Sequence, residues 1–305
     1  MSEESKVITN LSIRHLIIAI LVSTLLGVVI QRIRLPFAIN SGVIELILTI
    51  VLSVLLICTM KVPINKPPKT RGMRFDFSSF SVVYLLVWLR EGLLWLAEVV
   101  GFDDRFNIIG YSTVSFISEQ IKSAWFIVLH DKQFFISIVV ILAFFIWDAI
   151  YAKMIIDRTY GFGNGVAILM CTLLLGMHAS SWSELIVNLL IHIYLAEAYV
   201  RTGRISNYIL LPILANVLAV FSNIYLDIEF IGEFVGLEWL VVNYIFGFVE
   251  KALLVWGAIG LFGFFLGVLD LNIKQNKKIF ANVGMLFWMV YCVGLLISYS
   301  TGLFY

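Results

Sequence analysis

The sequence predicts an all-α, polytopic membrane bundle of about nine transmembrane helices, and three observations predict it. Hydrophobic residues make up 61% of the 305 residues and charged residues only 13%, about half the charge of an ordinary soluble domain. No water-soluble fold hides that much apolar surface, so the solvent must be lipid. The apolar residues gather into runs of spanning length, and the basic residues between the runs are biased to alternate loops.

The same composition excludes other classes. A net charge of +1 argues against nucleic acid as a partner. The first residues, MSEESKVITN, are polar, and no small-residue cleavage site follows the first apolar run, so no removable signal peptide is expected. Cys58, Cys171 and Cys292 are far apart in apolar stretches. They spell neither a metal spacing nor a disulfide framework and read as small core residues. No cofactor is expected.

The spans are expected at about 13–31, 42–60, 79–100, 134–152, 164–178, 182–200, 208–226, 251–270 and 283–303. Helices are the natural form because each satisfies its own backbone polar groups in lipid. The fifth is short and needs protein neighbours. With the N-terminus cytoplasmic, the inner segments hold 14 basic residues: Lys6, Arg14, Lys61, Lys66, Lys69, Arg71, Arg74, Lys153, Arg158, Arg201, Arg204, Lys274, Lys277 and Lys278. The outer segments hold six, namely Arg32, Arg34, Arg105, Lys122, Lys132 and Lys251. The bias favours this orientation in the cell membrane, with the C-terminus outside. Outer segment 105–131 carries apolar residues at amphipathic spacing, and 227–243 interleaves acidic with aromatic residues. Both are expected at the membrane interface. Lys66-Pro67-Pro68-Lys69 reads as the linker between the second and third spans.

Between the fourth and fifth spans lies Tyr160-Gly161-Phe162-Gly163-Asn164-Gly165. It lacks the Lys-Ser/Thr ending of a phosphate loop and no strand precedes it. It reads as a tight turn whose glycines, Gly163 and Gly165, take positive φ while Asn164 caps the next helix. Polar residues also fall within spans: Arg90 with Glu91, Asp148, Glu184, Asn188, His192, Glu197, Asn216 and Asn223. Such residues usually face a bundle interior or a hydrated cavity. Glu184, Asn188 and His192 recur every fourth residue and share one face of the sixth helix. They line a hydrated pore, or they hydrogen-bond between helices.

These motifs resemble the SecY protein-translocation channels. Gly161, Gly163, Asn164 and Gly165 match that family's Gly-x-Gly-Asn-Gly turn, which joins its fourth and fifth helices on the cytoplasmic side. Arg34-Leu35-Pro36-Phe37-Ala38-Ile39-Asn40 is similar to the family's exit from helix one. Leu211-Pro212-Ile213-Leu214-Ala215-Asn216 looks like its Pro-x-x-x-Asn start of helix seven. Phe264-Phe265, Asn272, Lys277-Lys278 and Gly284 resemble the end of helix eight and the loop after it. The resemblance covers most of the chain. It departs from the family in ending after the ninth of ten helices, in lacking the plug helix, and in replacing the basic hairpin between spans six and seven with about eight residues, Arg201 to Tyr208.

The resemblance implies a reduced SecY-like paralogue made of two inverted halves, 1–178 and 181–305, the second lacking its last helix. It implies a non-enzymatic channel moving a polypeptide across or into the membrane. A seam between spans two and seven would carry the constriction, with Ile47, Ile50, Val51, Asn216, Val217 and Val220 as candidates. A cytoplasmic targeting or motor partner would dock on Arg201, Arg204, Lys274, Lys277 and Lys278. Two alternatives stay open. His178, Tyr199 to Arg204 and Asn216 are similar to parts of the CAAX-type intramembrane proteases, though Asp148 to Lys153 supplies one carboxylate where that chemistry needs two. The other alternative is a non-catalytic assembly or immunity protein.

Overall fold

The structure is a computed structural model that describes residues 3–33, 38–62, 64–69, 77–100, 132–177, 182–225, 238–268 and 282–301, with Ser118, Ala179 and Ile279. The described residues form nine α-helices and no strand: α1 Glu3–Ile33, α2 Ala38–Cys58, α3 Phe77–Val100, α4 Lys132–Thr159, α5 Asn164–Gly176, α6 Trp182–Thr202, α7 Ile205–Tyr225, α8 Glu238–Val268 and α9 Val283–Thr301. A 3-10 turn, Tyr160–Phe162, joins α4 to α5. Each expected span overlaps one of these helices. Five segments, Glu3–Leu26, Ile138–Phe162, Trp182–Thr202, Ile205–Ile224 and Tyr244–Gly267, are long and apolar enough to cross a membrane. Val43–Cys58, Asn164–Gly176 and Val283–Ser298 are apolar but shorter.

The core forms around α3 and α5. Val82, Val83, Tyr84 and Leu86 of α3 are wholly buried, where α3 packs against α6, α7 and α8. A Cβ on Gly257 of α8 would lie 2.3 Å from the Ser81 carbonyl oxygen, so the absence of a side chain is what lets α8 approach α3 this closely. On α5, Ala167, Met170, Cys171 and Leu174 are likewise buried between α4 and α6. The rest of α8 is the reverse: Tyr244, Phe248, Ile259 and Phe262 are strongly exposed. A continuous apolar face of this kind is untenable in water and natural against lipid. Helices of the two expected halves share one core, α1 packing on α9, α3 on α6 to α8, and α5 on α6.

One end of the bundle gathers the segments expected to lie together on the cytoplasmic face. Arg14 donates to the Leu56 carbonyl and, at 3.0 Å, to the Thr59 hydroxyl, tying α1 to the end of α2. Just beyond, the Asn65 amide donates to the Asp157 carbonyl at 2.8 Å, and the Pro67 and Pro68 carbonyls lie against Gly203. Asn282 reaches Thr9 at 3.0 Å and the Ser5 carbonyl at 3.2 Å, while its Oδ1 accepts the Gly284 amide at 3.0 Å and so caps α9.

Four expectations change. Gly165 is helical, and Gly163 is the glycine of the turn with positive φ, at 123°. The N-cap of α5 is Gly163, with no side-chain cap bond, so Asn164 opens the helix without capping it. The turn between α6 and α7 is Gly203 and Arg204 alone, not about eight residues, because Gly203 at φ 64° lets the chain reverse at once and α7 begins at Ile205. The eighth helix begins at Glu238 and not near 251, so residues 238–243 of the segment expected at the interface are its first turns. The remainder of that segment, and 105–131 apart from Ser118, lie outside the described residues.

Candidate functional site

Of the polar residues within the spans, Asp148 of α4 and His192 of α6 meet across helices. Asp148 interrupts the apolar run of that helix, and about half of its side chain, 48%, is accessible. Its Oδ2 stands 4.0 Å from Nε2 of His192 on α6. The opposite ring nitrogen of His192, Nδ1, is 2.6 Å from the Tyr208 hydroxyl on α7. That hydroxyl is also 3.8 Å from Sγ of Cys171 on α5. Four helices thus contribute one polar group each to a chain that begins at an accessible carboxylate and ends at a wholly buried thiol. The tight turn at Gly203 is what positions it, since α6 and α7 fold back as a hairpin that sets His192 beside Tyr208.

Helix α7 carries a local weakness at this place. Pro212 lies inside it and has no N–H, so the Tyr208 carbonyl four residues earlier loses its helical donor. Asn216 donates from Nδ2 to the Pro212 carbonyl at 2.9 Å, and its buried Oδ1 has no hydrogen-bond partner among the described residues.

Two further buried networks hold the bundle around this chain. His15 of α1 places Nδ1 2.6 Å from the Tyr151 hydroxyl of α4. Its ring meets Trp288 of α9 edge to face at 4.3 Å, and Trp288 donates to the Leu173 carbonyl of α5 at 2.9 Å. In the second, the Tyr84 hydroxyl of α3 lies 2.8 Å from that of Ser222 on α7 and donates to the buried Glu250 carboxylate of α8 at 3.1 Å.

The expected constriction residues divide by exposure. Ile47, Val51 and Val217 are exposed, Ile50 is half-buried, and Asn216 and Val220 are buried. Helix α2 packs on α1 and α4, and α7 packs on α3, α4 and α6, so both flanks of the expected seam rest on α4. Glu184 and Asn188 are half-buried along α6, and of their stripe His192 is the member that joins the polar chain. Arg201 is exposed in the last turn of α6 and pairs with Glu197, Nε to Oε1 at 2.9 Å. Arg204 follows the Gly203 turn, and Lys274, Lys277 and Lys278 lie outside the described residues. A cleft of about 310 Å³ beside Arg201 is lined by Asn164, Ile168, Glu197, Val200 and Phe264. At the α4–α5 turn, Gly163 has φ 123° and ψ 152°, a combination essentially reserved for glycine. A Cβ on Gly161 would strike the Asn65 side chain.

No family model, curated protein or solved structure matches the chain. The site therefore stands on its own geometry. Among the described residues no cluster of His, Cys, Asp and Glu is arranged to hold a metal ion. What the chain of groups can do is hold a proton and redirect hydrogen bonds, because imidazole, phenol and thiol each both donate and accept. Sequence reasoning singled out Asp148 and His192 but missed Tyr208, Cys171, Tyr151, His15, Tyr84 and Glu250. A tyrosine or histidine within an apolar run was the available sign, since its polar atom needs a partner on another helix.

Proposed function

We propose that this protein is a membrane-embedded conduit for a polypeptide, a SecY-like channel reduced to nine spans, with its N-terminus in the cytoplasm and its C-terminus outside. The observation that carries the reading is the half-accessible side chain of Asp148 in the middle of α4. A half-accessible carboxylate at the middle of a spanning helix is costly against lipid and belongs in a hydrated crevice. The two helices resting on α4 beside it, α2 and α7, offer exposed apolar residues at Ile47, Val51 and Val217. A wet floor with apolar flanks suits an extended chain that carries both polar backbone and apolar side chains. The turn at Gly163 and the clustering of the basic inner segments at one end support the same reading. The substrate would be dedicated, delivered by a partner at the basic end, since the α6–α7 turn is too short for a long docking hairpin.

The test is export. The chain is expressed with short peptides encoded beside its gene, and each peptide is followed into the medium, with photocrosslinkers placed at Ile47 and Val217. Export together with crosslinking at both positions is expected. Peptide cleavage without export would favour a protease. Neither export nor cleavage would favour an assembly or immunity protein.

A further inference from the structure

We propose that the cleft between α5, α6 and α8 holds a zwitterionic phospholipid with a primary-amine headgroup, its ammonium on Glu197 and its phosphate on Arg201. The cleft, of about 310 Å³, lies where segments of spanning length end. Arg201 is next to last in Trp182–Thr202, Gly267 is last in Tyr244–Gly267, and Asn164 opens α5 just after Ile138–Phe162 closes. This is the level at which a bilayer passes from acyl chains to headgroups.

Glycines of α8 give the cleft its room. Gly257 and Gly260 sit tight against α3, where a Cβ would lie 2.3 Å from the Ser81 carbonyl oxygen or 2.8 Å from Cγ2 of Val82. Further along the helix, Gly263 and Gly267 have no described atom within 4 Å of an added Cβ, and both line the cleft. The rest of the wall is largely apolar. Phe264 meets the Tyr194 ring of α6 edge to face at 5.0 Å, and Ile168 and Val200 complete the lining. The first carbons of an acyl chain suit such a wall, whereas a free headgroup without chains would leave it in contact with water.

The charges in the cleft choose the headgroup. Arg201 donates through Nε, at 2.9 Å, and through Nη2 to the same oxygen of Glu197, Oε1. Oε2 of Glu197 and Nη1 of Arg201 are left without a hydrogen-bond partner among the described residues. An anion and a cation thus stand side by side, each with an unused hydrogen-bonding atom. A wholly anionic headgroup would gain the Arg201 guanidinium but meet the Glu197 carboxylate, and like charges repel. A phosphate joined by a short link to an ammonium satisfies both, its N–H donating to Oε2 and its phosphate oxygen accepting from Nη1. A quaternary ammonium has no N–H to donate. Asn164, exposed at the start of α5, adds an amide to the same cleft.

Native mass spectrometry of the purified full chain in detergent tests this, with phosphatidylethanolamine, phosphatidylcholine and phosphatidylglycerol of one acyl composition added in turn. It needs neither a peptide nor a docking partner, so its outcome is independent of the channel reading. The first phosphatidylethanolamine should bind about tenfold more tightly than either other lipid, the worth of one charge-assisted hydrogen bond. Glu197→Gln should bring phosphatidylethanolamine and phosphatidylcholine level, and Arg201→Gln should weaken phosphatidylethanolamine by a similar factor. Gly267→Leu, at a position with free space, should abolish the tight binding event. Equal or tighter binding of phosphatidylglycerol or phosphatidylcholine by the unaltered protein would overturn the proposal, as would a preference for phosphatidylethanolamine that persists in Glu197→Gln. A dimer that Gly267→Leu splits into monomers would assign the cleft to a second copy of the chain and overturn it too.

Discussion

Replacing Gly163 by valine isolates backbone strain from every other effect. A Cβ at this position meets nothing within 4 Å, so no clash contributes. The cost comes from φ 123° and ψ 152°, where an L side chain is strained by about 1–3 kcal/mol. At about 1.4 kcal/mol per factor of ten, the turn should open roughly five- to a hundred-fold more often. Cys171, wholly buried on α5, reports that opening when it reacts with a thiol reagent in detergent. Exposed Cys58 is first changed to Ser, and Cys292 is distinguished by mass spectrometry. Alanine at Gly165, two residues on and already helical, should slow the same reaction, because a helical glycine costs up to about 1 kcal/mol relative to alanine. Two glycines of one turn thus respond in opposite directions. Trapping of Cys171 at the unaltered rate in Gly163→Val would refute the assigned backbone conformation.

Three other outcomes are expected. Gly257→Ala places a methyl 2.3 Å from the Ser81 carbonyl oxygen and must push α8 off α3, at about 1–3 kcal/mol, seen as a lower midpoint in detergent unfolding. Tyr84→Phe removes the hydroxyl shared by Ser222 and Glu250, and leaving that carboxylate short of a donor should cost about 1–3 kcal/mol by the same measurement. Reversal of Arg201, Arg204, Lys277 and Lys278 to Glu should abolish peptide export while the protein remains in the membrane; undiminished export, or tight binding of ribosomes to the unaltered protein, would defeat the proposed mode of delivery.

The helices were legible and their partners were not, and the reason differs by residue. Spans are written in local composition, since any long apolar run must satisfy its own backbone in lipid. That is why each expected span overlaps a helix, including the short fifth. Ends were less legible because polar residues at a helix terminus look like loop: α8 begins at Glu238 and α7 at Ile205, where acidic and polar residues suggested connecting segments. The Gly161–Gly165 turn was found by its glycines, but which of them needs the special backbone depends on where α5 starts, and that is fixed by packing against α4 and α6. The polar chain was half legible. Asp148 and His192 stand out because a charge or an imidazole within a span demands a reason. Cys171 did not, since a cysteine in an apolar helix is ordinarily a small core residue, and Tyr208 did not, since it was assigned to the edge of a loop. Their roles arise only when the two-residue turn at Gly203 folds α7 back on α6 and carries Tyr208 to His192, a contact across helices that no local pattern encodes. The asymmetry has a physical sense: a bundle can be specified by composition, but a chain of polar groups drawn from several helices depends on contacts between them, and so it appears only in the assembled structure.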